Sequence, residues 1–174
     1  CLRWNLPDVC HFETVYPLYS SETFAEFYQY SKPFGSSANT GLEVADLTQV
    51  FLMKDKVGVE GNSSLALVTI HDKPPDATRG AVDVDFVAGG SLTMPSDPFI
   101  VRDDVTHTAD GYSYDSMAKT GNAFWGWASC CTDGMTLGPL PTPDPASPYS
   151  LKLKYKKLQM ATGGGVPSSP ADGP

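Results

Sequence analysis

The chain has 174 residues with 20 acidic and 12 basic side chains, a formal charge of −8. That length fits one domain with appendages, and so acidic a surface excludes nucleic acid as partner, because phosphates would be repelled. Only 18% of residues are charged, while 16 glycines and 15 prolines accompany 41% hydrophobic residues, a turn-rich, β-leaning composition with enough apolar mass for a core.

In chain order, residues 9–19 are aromatic and β-branched, with Pro17 suited to an edge or a bulge. Residues 24–30 alternate Phe24, Glu26, Tyr28 and Tyr30 against Ala25, Phe27 and Gln29. Strand is preferred there over a short helix at residues 20–29 capped by Ser21. Residues 35–41 read as a loop. Residues 50–53 and 65–70 are short apolar runs fit for buried strands. Residues 81–87 alternate most cleanly, with Val82, Val84 and Phe86 on one face and Asp83 and Asp85 on the other. Gly89-Gly90 then turns the chain, and strands are expected at residues 99–102, 124–128, 135–140 and 150–160. The sum is an all-β fold, a β-sandwich or jelly roll of about eight to ten strands with a C-terminal extension. No internal repeat is visible.

The prolines divide this chain. Residues 1–140 form the expected body, 141–149 a Pro-rich spacer, 150–160 an exchanged or edge strand, and 161–174 a Gly/Pro/Ser tail. The run at residues 139–148 holds a proline at almost every second position. Fully extended at about 3.1 Å per residue, it would reach roughly 30 Å. Residues 1–140 hold 18 of the acids and 8 of the bases, a charge of −10, whereas residues 141–174 carry +2. The strand after the spacer places Leu151, Leu153 and Tyr155 on one side and Lys152, Lys154 and Lys156 on the other. A basic, half-apolar strand beyond a stiff spacer either folds back or docks on another acidic body, and the exchanged arrangement is preferred.

Four cysteines lie in two clusters, Cys1 with Cys10 and Cys130 with Cys131. Adjacent cysteines bridge each other only with strain, so the two connectivities joining the early pair to the late pair are favoured. Each would close a loop worth roughly 4 to 5 kcal/mol in the chain-entropy model. Such usage suits an oxidising, secreted setting. A zinc site lacks the Cys-x-x-Cys spacing it needs. There is no apolar run near 18 residues, so the chain is expected not to span a membrane. With no signal segment either, the numbered chain is expected to be a mature secreted form.

Little points to catalysis. His11, His71 and His107 come without a nucleophile elbow, a metalloprotease helix or a phosphate-cradling loop, so no catalytic residue is assigned. Asp97, Asp103, Asp104, Asp110 and Asp115 are carboxylates in a loop-like stretch, where calcium is conceivable. The alternating-ligand pattern is missing, so a solvated acidic loop is preferred and no cofactor is assigned. Trp125 and Trp127 share one face around Gly126; they are either a sugar-stacking platform or core, and core is favoured. Asn62-Ser63-Ser64 is an N-glycosylation sequon, and Thr142, Ser147, Ser168 and Ser169 sit in Ser/Thr-Pro patterns that carry O-glycans in stalk-like segments.

The segment at residues 125–134, Trp-Gly-Trp-Ala-Ser-Cys-Cys-Thr-Asp-Gly, with Gly121-Asn122 before it, resembles one met in large secreted or surface β-domain proteins. The order of body, spacer and strand is similar to that of fibril subunits joined by donor-strand exchange. In chaperone–usher pili the donor strand is N-terminal, so that family's assembly machinery does not carry over. Neither resemblance brings catalytic residues. The expected function is a structural subunit of an extracellular filament or surface layer, with other copies of itself as partners. The alternative is a carbohydrate-binding or adhesive module using Trp125, Trp127 and the Asp103/Asp104 loop. A hydrolase built around His71 or His107 ranks last.

Overall fold

The computed structural model describes residues 14–30, 38–56, 65–73, 78–103, 105, 109–127 and 131–162. Among these are the strands β1 (Leu18–Tyr19), β2 (Thr48–Lys54), β3 (Leu65–His71), β4 (Thr78–Gly90) and β5 (Phe99–Arg102). They continue as β6 (Gly111–Asp115), β7 (Thr120–Trp127), β8 (Asp133–Leu140) and β9 (Tyr149–Thr162), with one helix, α1 (Phe24–Tyr28), between β1 and β2. One sheet has the order β1-β2-β3-β8-β5 and the other β6-β7-β4-β9. Neighbours pair antiparallel, except β1 with β2. The chain is a β-sandwich, as the alternating pattern predicts.

The interior follows from that alternation. From β4, Val82, Val84, Phe86 and Ala88 point into the space between the sheets; from β7, Ala123, Trp125 and Trp127 join them. Across the gap stand Leu65 and Leu67 of β3 and Met135 and Leu137 of β8. Every residue of β3 is buried, because its other face is covered too. Ala66, Val68 and Ile70 pack beneath Phe24 and Tyr28 of α1. A strand covered on both faces reads as a continuous apolar run, which is how residues 65–70 appear in the sequence.

Three expectations are corrected. Residues 24–28 are helical, not strand. Thr23 is the N-cap: its side chain accepts a hydrogen bond from the Glu26 backbone N–H, and the Glu26 carboxylate accepts from the Thr23 backbone N–H. This reciprocal capping box satisfies two otherwise orphaned donors, and it favours helix over the strand suggested by the aromatic alternation. Thr23→Ala is therefore expected to lower stability by about 1 kcal/mol, read as a shift in urea midpoint; an unchanged midpoint would show the helix to be held by packing alone.

The second correction concerns the acidic stretch before Asp115. It forms edge strand β6, paired with β7 from Gly111↔Phe124 to Asp115↔Thr120. Tyr112 and Tyr114 pack against the core, and Asp115 caps the following turn by accepting from the Met117 and Ala118 N–H groups at 2.8 and 3.0 Å. Aromatic residues at alternate positions, not the carboxylates, decide the conformation.

Third, residues 141–148 are a folded crossing between the sheets, not an extended strut. Asp144 closes a turn, accepting from the Ala146 N–H through its side chain and from the Ser147 N–H through its carbonyl. The Tyr149 hydroxyl donates to the Pro141 carbonyl at 2.7 Å. Proline fixes its own φ but not the conformation of residues between prolines, so an Asx-type turn reverses the run. The proposed glycosylation sites Thr142 and Ser147 lie exposed on this crossing. Asn62, Ser168, Ser169 and the tail from residue 163 lie outside the described residues, as do Cys1, Cys10 and Cys130.

Candidate functional site

Three features could carry function: the seat of β9, a buried polar cluster and an apolar cleft. Strand β9 pairs antiparallel with β4 from Thr78↔Thr162 to Gly90↔Tyr149 and is an edge of its sheet. Leu151, Leu153 and Tyr155 pack on the core while Lys152, Lys154 and Lys156 stay on the outer side. That is the facing expected from the sequence, and the strand docks here on its own body. The register shifts between Asp83 and Val84, whose partners are Lys157 and Tyr155. Lys156 is thus the extra residue of a bulge.

The bulge aims Lys156 at two carboxylates. Its Nζ lies 3.1 Å from Asp83 and 3.0 Å from Asp85. Between those acids the Asn122 amide donates to Asp83 at 2.6 Å and to Asp85 at 2.9 Å. Burial disfavours the charged form of Asp85, but the hydrogen bonds from Lys156 and Asn122 and the charges of Lys156 and Lys154 hold its carboxyl below its ordinary value. The Asp85 hydrogen bond, first among several causes, raises Lys156. The acidic face of β4 is therefore matched by the basic face of β9. The sequence pattern places Asp83 and Asp85 on the outer face of this strand but gives neither them nor Asn122 a role; the partner strand that gives them meaning is some seventy residues away.

The polar cluster lies at one end of the sandwich. Trp127 donates through Nε1 to Asp72 at 2.8 Å, and the other Asp72 oxygen accepts from the Asp46 backbone N–H at 2.9 Å. Trp125 donates to the Tyr112 hydroxyl at 2.7 Å, and Tyr112 donates to the Asp103 carbonyl. Tyr28 reaches the Asp103 carboxylate from α1 at 2.9 Å. Burial first, then the nearby carboxylates, pushes both tyrosines well above their ordinary values, so they remain neutral donors.

His71 sits among these groups, wholly buried, with its ring stacked on Trp127 at 5.8 Å and tilted against Trp125 at 4.8 Å. Thr48 Oγ1 lies 3.0 Å from its Nδ1, and Nε2 has no hydrogen-bond partner among the described residues. Burial pulls its pKa down to about 3, so the ring is neutral. It is a packed core histidine across from Asp133 in the β3–β8 ladder. His11, His107 and Asp104 lie outside the described residues.

The tryptophans belong to this interior. Trp125 and Trp127 are 1% and 2% exposed, so they offer no platform for a sugar, and the core reading prevails. Asp97, the first of the sequence-flagged carboxylates, is paired with Arg102 and accepts from the Phe99 N–H at 3.3 Å. Asp110 accepts from the Gly126 N–H at 3.0 Å. Among the described residues no group of three metal-ligating side chains comes together.

The third feature is invisible in sequence. A cleft of about 660 Å³ opens between the sheets on the side where β2 and β3 face β9. Val50 and Leu52, Leu65 and Leu67, and Leu151 and Leu153 line its walls. The crossing at residues 141–148 forms its rim through Pro143, Asp144 and Pro145.

Cys131 is disulfide-bonded, and its partner lies outside the described residues. No helix among the described residues is long and apolar enough to cross a membrane. No family model, curated protein or solved structure matches the chain.

Proposed function

We propose that this protein is a structural subunit of an extracellular filament or surface layer, and that it joins its neighbours head to tail by lending β9 to the β4 edge of the next copy. The β4–β9 ladder carries the reading. It is an edge pairing made by the last described strand, and the pairing is tied to the body by a single loop. A strand that fits its groove through main-chain bonds, alternating apolar contacts and charge fits the same groove on a second copy equally well. The folded crossing must open for this to happen, which breaks the Asp144 turn, the Tyr149–Pro141 bond and the bonds that Ser91 donates to the Ser147 and Pro148 carbonyls. In the same reading, disulfides join the Cys1/Cys10 pair to the Cys130/Cys131 pair, and glycans stand on Asn62 and on the Pro-rich stretches.

A covalent lock tests the exchange. Val87 and Lys152 are register partners on the outer face of β4 and β9, so Val87→Cys with Lys152→Cys can bridge the strand to its own body. The same double variant with both new thiols alkylated is the unlocked control. In sedimentation across a concentration series, the alkylated protein is expected to associate and the bridged one to stay monomeric. Equal association of both would show that β9 is merely the body's own edge.

A further inference from the structure

The apolar cleft between β2, β3 and β9 is a site with its own chemistry. Its volume of about 660 Å³ lies within the few-hundred to thousand Å³ range typical of small-molecule sites. Its walls are built from aliphatic side chains of both sheets, Phe51 and prolines; among the described residues Asp144 is the only acid or base along it, and Tyr149 adds a phenol. An open cleft with apolar walls favours apolar guests, because contact removes apolar surface of both from water.

Charge narrows the guest. Asp144 stands at the rim and the chain carries −8 overall, so an anionic headgroup would meet a like charge at the entrance and a repulsive field on approach. Among the described residues no lysine or arginine lines the cleft to receive a carboxylate or phosphate. We infer that the cleft binds an uncharged, elongated apolar molecule of the long-chain alcohol or isoprenoid-alcohol class, with its apolar body between the sheets and its hydroxyl at the Asp144 rim.

Two lining residues allow the site to be changed without disturbing the core. Val50 is 41% exposed and Val15 is 63% exposed, yet both border the cleft. Val50→Trp fills it, and Val15→Glu places a charge on its wall. The neutral fluorophore N-phenyl-1-naphthylamine, titrated into the full chain, is expected to bind saturably at one site. Dodecanol is expected to displace it at concentrations at least tenfold lower than laurate does. Each variant, with its urea midpoint unchanged, is expected to weaken probe binding at least tenfold. Non-saturable binding, or wild-type affinity in both variants, overturns the assignment of the site. Equal displacement by laurate and dodecanol overturns the uncharged-ligand class. None of these results depends on whether the protein assembles, so failure here is distinct from failure of the strand-exchange reading.

Discussion

Trp127→Ala is expected to be among the most damaging single changes in this chain, lowering stability by about 3 to 5 kcal/mol from lost burial and the cavity left behind. The ring is 2% exposed, stacks on His71 and covers Gly80 of the neighbouring strand. A Cβ at Gly80 would sit 2.0 Å from the Trp127 ring, so the pair Gly80↔Trp127 works only with glycine opposite the indole. Trp127 also supplies the Nε1 donor to Asp72, whose carboxylate is 1% exposed. Trp127→Phe keeps most of the ring and removes that donor. It is expected to cost about 1 to 3 kcal/mol, the penalty of leaving a buried acceptor unpaired. Urea unfolding of both variants gives the order alanine worse than phenylalanine, each worse than wild type. A surface sugar platform would leave both midpoints near the wild-type value, and that result would sink the core assignment.

The two sheets and most of their strands were legible because alternation is a local signal. Residues 81–87 announce which side chains face the core, and Leu151, Leu153 and Tyr155 do the same in β9; the sandwich places each as the pattern requires. Where local signals conflicted, the reading failed. Phe24, Tyr28 and Tyr30 mimic a strand, while the three-residue spacing of Thr23 and Glu26 that closes the capping box is a weaker mark than aromatic alternation. In β6 the carboxylates drew attention away from Tyr112 and Tyr114. In the crossing the prolines suggested reach, and one aspartate between them set the turn.

The candidate sites were far less legible, for a physical reason. Each is assembled by pairing across long stretches of chain. Lys156 means little until a bulge aims it between Asp83 and Asp85. Gly126 looks like the glycine that makes room beside the tryptophans, yet the close approach to Trp127 is at Gly80. The cleft is defined by Val50 on one sheet and Leu153 on the other, and neither residue carries a signature of a pocket. Residues in β2 alternate as in any half-buried strand, so nothing in the sequence marks Val50, which is 41% exposed.

The buried polar end predicts how the protein responds to acid. His71 is neutral in the folded state, with a pKa near 3, because burial disfavours its charged form; unfolded, it titrates near 6.5. Between those values the unfolded chain binds a proton that the folded chain refuses, so stability rises with pH across this window and falls as pH drops below about 6.5. One such proton contributes a slope of about 1.4 kcal/mol per pH unit. The groups around the ring are Thr48, the indoles of Trp125 and Trp127, and the carboxylates of neighbouring Asp72 and cross-strand Asp133. Asp85, held below its ordinary value by Lys156 and Asn122, adds stability that is lost only under more acidic conditions, as pH falls below about 4. The two contributions therefore separate by pH. His71→Phe retains an aromatic ring against the tryptophans and removes the titrating group. Unfolding free energies from urea titrations between pH 7 and pH 4 are expected to fall steeply for the wild type and by a few kcal/mol less for His71→Phe. Parallel curves would mean that His71 takes up its proton in the folded state, which requires the end of the sandwich between β3 and β7 to open to water.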